Sequence, residues 1–152
     1  MGNVELQTRV CRGYPVVLLR GELDTTDAED TAAAVAALAA GGRQLIIDLE
    51  TLDFIDCRAA SALLGVRETA RQAGGDVLLA APHGPVLRLL TLMSVPRVHA
   101  SVAAAADSAG RRDDRRRAVR IVRSGRAVLS GARSWVTTWR AAVSGLRAGN
   151  RP

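Results

Sequence analysis

Lysine is absent, and all 21 basic residues are arginine. That reads as genomic base composition before it reads as chemistry. Aromatic residues number four (two Trp, one Tyr, one Phe), so the core must be built from Leu, Val, Ile and Ala. Two cysteines, Cys11 and Cys57, make no disulfide framework, and no CxxC or Cys/His cluster offers a metal site. No apolar run approaches the ~20 residues of a membrane span. Glu5 and Arg9 stand where a signal peptide needs an apolar stretch. A soluble, cytoplasmic chain is the expectation. Asp24, Asp48, Asp53 and Asp56 have no nucleophile, base or phosphate loop beside them in the sequence. Carboxylate catalysis is set aside on that ground, with no enzymatic activity and no cofactor expected.

What is present is enough for one domain with an appendage: 152 residues, 48% of them apolar. The net charge of +6 conceals a split. Residues 1–109 hold 9 arginines and 13 acids, a net of −4; residues 110–152 hold 12 arginines and 2 aspartates, a net of +10. An acidic domain with a basic arm is implied.

Along the chain, residues 4–10 alternate apolar and polar as a half-buried strand does. After the turn Arg12-Gly13-Tyr14-Pro15, residues 16–21 form an apolar run that predicts a central strand, paired with the first as a hairpin. Thr26 with Glu29 three residues on has capping-box spacing, so a helix is expected from Thr26 to about Ala40, with Val35 and Leu38 in the core. Residues 45–49 predict a buried strand and 50–56 a turn. A helix follows over about 57–73, with Ala60, Leu63, Leu64 and Ala70 buried and Arg67 and Arg71 exposed. Residues 76–81 predict a strand, Pro85 opens a helix to about Met93, residues 98–100 an edge strand, and 102–109 a closing helix. The order predicts an α/β fold, a mostly parallel sheet of four to five strands with crossover helices. Free N–H groups and the dipole at the helix start near Asp56 make that corner a natural anion or partner site.

With these residues placed, the first 109 positions resemble the STAS domain of bacterial anti-sigma factor antagonists. The carriers are Gly21-Glu22-Leu23-Asp24, Leu45-Ile46-Ile47-Asp48-Leu49, and Phe54-Ile55-Asp56, which matches the F-[IML]-D leading into the family's D-S-[ST]-G. Leu63-Leu64, Gly74-Gly75 and Val95-Pro96-Arg97-Val98 follow in order. The resemblance implies a STAS-like fold that binds an anti-sigma factor with a Ser/Thr kinase fold, and so affects transcription. It also implies a switch in which phosphorylation of the second hydroxyl of D-S-[ST]-G ends binding.

This chain departs from that pattern at the switch. Asp56 is kept, but Cys57 follows it, Arg58 holds the acceptor position and Ala59 replaces the glycine. Arg accepts no phosphoryl group, and Ser61 lies a turn further in. The partner-binding candidates are Asp24, Asp56, Cys57, Arg58 and Ser61. Asp56 reads as an N-cap, a contact, or both. Arg58 opposes the dipole at about 0.3–1 kcal/mol, and either pairs with Asp24 or Asp56 or reaches into solvent. Cys57 reads as a small residue in place of serine, with a redox thiol as the rival. His83 and His99 read as surface residues with no ligand partner.

The resemblance does not reach the tail. Residues 110–117, rich in Arg and Asp, predict a solvated linker. From 118 to 152 apolar residues recur in steps of four and three among arginines, as in a basic amphipathic helix. Its contact candidates are Arg120, Arg123, Trp135 and Trp139. An anionic membrane surface, a partner or the chain's own acidic domain, nucleic acid phosphates, and a tail that orders only on contact all remain open.

Overall fold

The computed structural model describes residues 3–124, with side chains as far as Arg120. The elements are β1 (Val4–Cys11), β2 (Tyr14–Leu23), α1 (Thr25–Ala39), β3 (Gln44–Ile55), α2 (Cys57–Gln72), β4 (Asp76–Ala80), α3 (Gly84–Leu92), β5 (Val98–His99) and α4 (Val102–Ser124). The sheet runs β1-β2-β3-β4-β5 in sequence order. β1 is antiparallel to β2, and every other pair is parallel. Parallel neighbours require a crossover, and α1, α2 and α3 supply one each.

Strand pleating sorts the core into two faces. Val16, Ile46, Leu78 and Ala80 meet Ala105, Ala106 and Ala109 of α4. Three alanines let that helix approach the sheet closely. The alternate set, Val17, Ile47, Val77 and Leu79, is also buried, facing away from α4. Val35 and Leu38 of α1 and Ala60 and Leu63 of α2 are buried as expected, while Leu64 is half-buried.

The loops at the strands' entry cross within backbone contact. Asp76 N–H donates to the Arg43 carbonyl at 3.0 Å. A Cβ on Gly75 would lie 2.0 Å from that same oxygen, so only glycine permits the crossing.

Four expectations need correction. Residues 50–55, expected as a turn, continue β3. Two register shifts against β2, one between Leu18 and Arg20 and one between Gly21 and Glu22, carry the strand to Ile55. Helix α1 is capped by Asp24, whose carboxylate accepts the Thr26 N–H at 2.8 Å, and not by Thr26 with Glu29. Arg67, expected on the surface, is 3% exposed and ion-paired with Asp76, which also lies within 4.0 Å of the half-buried Arg71. Residues 110–117, expected as a linker, are helical.

The chain divides into two units, residues 1–109 and 110–152. In the second, α4 reaches Ser124, and Arg111, Arg115, Arg116, Arg117 and Arg120 are exposed. The amphipathic stripe beyond residue 124, Trp135 and Trp139, and the Arg123 side chain lie outside the described residues. Among the described residues no helix is long and apolar enough to cross a membrane.

Candidate functional site

Two helices start side by side where β2 and β3 end. Asp24 caps α1 and Asp56 caps α2. Asp56 N–H donates to the Leu23 carbonyl at 3.2 Å, which ties the start of α2 to the end of β2. One Asp56 oxygen accepts the Ala59 N–H at 2.7 Å, and the other accepts the Thr25 hydroxyl at 2.8 Å. The carboxylate thus serves its own helix and locks the neighbouring one.

These donors hold the Asp56 carboxyl below the usual carboxylate range. The Ala59 N–H is the largest cause, with the Thr25 hydroxyl assisting and partial burial opposing. A depressed folded-state pKa gives stability that is present above the unfolded value and lost as pH falls through the folded one. Asp56→Ala is therefore expected to cost about 1 kcal/mol at neutral pH, the usual worth of a cap. The difference from the parent should shrink below roughly pH 4, where an ordinary carboxylate protonates. Urea unfolding of both proteins at neutral and acid pH checks it; a constant difference would contradict the assignment.

Arg58 is the second residue of α2, and its guanidinium reaches Glu29 on α1 at 3.8 Å. Of the two alternatives the sequence left open, pairing with Asp24 or Asp56 is not the one adopted: both carboxylates serve their caps, and the Arg58 side chain reaches outward. The pair is open, with side chains 69% and 86% exposed, so it is worth little in stability and can be exchanged for another partner. Cys57 and Ser61 are exposed on α2, Ser61 one turn further in. The structure thus gathers Asp24, Asp56, Cys57 and Arg58 at one corner.

Sequence reasoning missed Thr25, Glu29 and the exposure of Phe54. Phe54 is 44% exposed just before the cap, opposite Glu22 of β2. Its isolation was the available signal, since it is the chain's one phenylalanine. Asp48 does not join the corner. Asp48 is buried, pairs with Arg9 at 2.6 Å and accepts the Glu50 N–H at 3.1 Å. Of the histidines, exposed His83 hydrogen-bonds the Glu50 carbonyl through Nε2 at 2.7 Å, and His99 is half-buried in β5.

Comparison with known proteins places the fold. Similar solved structures include an anti-sigma factor antagonist from Mycobacterium paratuberculosis, 21% identical, with a TM-score of 0.60 over 70% of this chain and 94% of that one. The phosphorylated form of the Bacillus cell fate determinant SpoIIAA is 25% identical, with a TM-score of 0.53 over 69% and 97%. A sulfate transporter family protein from Wolinella succinogenes shares the fold at 18% identity, with a TM-score of 0.57 over 70% and 92%. Residues 5–105 match the STAS domain family, and the chain belongs to it.

Proposed function

We propose that this protein is a non-enzymatic regulatory binding domain, an anti-sigma factor antagonist whose α2 corner docks an anti-sigma factor of kinase fold. The corner has no phosphorylation switch at residues 56–59. The observation that carries this reading is Arg58, which stands at the acceptor position of the motif, at the open start of α2, with its charge held outward by Glu29. The likeness to a relative known in a phosphorylated form supports the comparison of acceptor positions. An arginine there offers no hydroxyl to a Ser/Thr kinase, so the partner meets a positive charge where phosphorylation of a hydroxyl would place a negative one.

Intact-mass spectrometry of the full chain after incubation with candidate anti-sigma kinases and ATP tests it. No phosphate should appear on residues 56–59, and Arg58→Ser should acquire one. Phosphate on exposed Ser61 of the native chain would move the switch by one helical turn and overturn the switchless reading.

A second reading, an assembly module recruited to an anionic membrane surface, draws on the five exposed arginines between 111 and 120. Co-sedimentation with phosphatidylserine vesicles that requires residues 118–147, without any anti-sigma partner, would favour it.

A further inference from the structure

We propose that Arg67, Arg71 and Arg97 form a binding notch for a small tetrahedral oxyanion of the phosphate type, at the end of the domain opposite the α2 corner. Arg67 and Arg71 sit one turn apart in the last turns of α2, and Arg97 belongs to the segment between α3 and β5. Arg67 donates from Nη1 to the Pro96 carbonyl at 2.8 Å, so residue 97 is the next along the segment that Arg67 grips. Its Nε faces Asp76 at 3.4 Å, and Arg71 reaches the other Asp76 oxygen at 4.0 Å.

Two observations point to a ligand. First, the charges do not balance. Arg67 and Arg71 share the one Asp76 carboxylate, and Arg97 makes no ion pair among the described residues. The negative end of the α2 dipole offsets roughly another half charge. More than one positive charge remains. Arg71 and Arg97 both act on Arg67 as like charges. Second, Arg67 is 3% exposed, and its Nη2 is buried with no hydrogen-bond partner among the described residues. A buried unpartnered donor on a charged group is costly and calls for an explanation such as an ion. Arg97 adds a backbone signal. It is exposed and holds φ at 57°, a region that non-glycine residues enter rarely and more often at ligand clamps. The ligand class follows from the donors. Guanidiniums offer paired N–H groups that match phosphate or sulfate oxygens.

The test uses the full chain, with inorganic phosphate as probe against chloride at equal ionic strength. Phosphate should shift the Arg67 Nε–Hε resonance saturably and raise the melting temperature above the chloride control. Arg97→Gln alters an exposed side chain and leaves every arginine of residues 110–152 in place. It should weaken the response by about tenfold or more, as loss of one charged contact does. Equal effects of phosphate and chloride, a response that does not saturate, or an unchanged response in Arg97→Gln would each overturn the notch. Ribose 5-phosphate in parallel separates the sources. Tighter binding than inorganic phosphate assigns a phosphate ester, and weaker or equal binding assigns the free ion.

Discussion

Asp76→Ala is expected to destabilise the domain by about 3–5 kcal/mol, the usual result of breaking a buried ion pair from one side. Asp76 is fully buried and Arg67 is 3% exposed. Burial pushes Arg67 below the usual guanidinium value, with Asp76 the main influence holding it up. Arginine stays charged at neutral pH, so removing Asp76 leaves a buried cation held, among the described residues, by the Pro96 carbonyl alone. The Val77 N–H loses its 2.9 Å acceptor as well. The pair itself need not stabilise that much, because both groups are desolvated to form it. The double variant Arg67→Met with Asp76→Leu should therefore be more stable than Asp76→Ala. Urea unfolding at neutral pH measures both. A single-variant loss under about 1 kcal/mol would mean that Arg67 is solvated, against the structure. If the oxyanion notch exists, phosphate should stabilise Asp76→Ala more than it stabilises the parent, since one competing charge is gone.

That ion pair shows where the sequence stops being informative. Arg67 and Arg71 read as an exposed pair one turn apart because helical spacing is a local signal. The partner that draws Arg67 inward lies on the next strand, and the carbonyl it binds is 29 residues away. No periodicity encodes either. The strands were more legible: alternation in β1 and apolar runs in β2, β3 and β4 are imposed by the faces they bury. The end of β3 misled because Glu50, Thr51 and Asp53 are polar, and Glu and Asp are depleted in strands. They are tolerated in the strand because all three are exposed, while Leu52 and Ile55 keep the core contacts. At α1 the error was one of frame. Asp24 is as good a cap as Thr26 and lies two residues earlier, which frees Glu29 to face Arg58. The helical stretch over 110–117 was hidden by its charge. Arginine is a good helix former, and Asp113 precedes Arg116 and Arg117 at favourable spacings. At the corner, the motif located Asp56 and Arg58, but only the fold supplied Thr25 and Glu29, which come from another helix.

Phe54→Ala is expected to weaken binding of the proposed anti-sigma partner by about thirtyfold or more, the range of an interface hot spot. The corner's charged groups are poor sources of affinity. Asp24 and Asp56 are committed to helix caps, and Arg58–Glu29 is an open pair. Open pairs steer encounter and fix register more than they hold a complex together. An aromatic ring offers 150–250 Å² of area (roughly) and loses little entropy when immobilised. Phe54 is 44% exposed, two residues before the α2 cap, and it is the corner's large apolar side chain. Truncating a half-exposed side chain should leave the melting temperature nearly unchanged, which separates lost binding from lost folding. Arg58→Ala should lower the association rate and its salt dependence while reducing affinity less than Phe54→Ala does. Calorimetry and stopped-flow association with the partner measure these terms. If Arg58→Ala costs more affinity than Phe54→Ala, the contact is organised by the charge that replaced the phosphoacceptor, and the aromatic anchor is refuted.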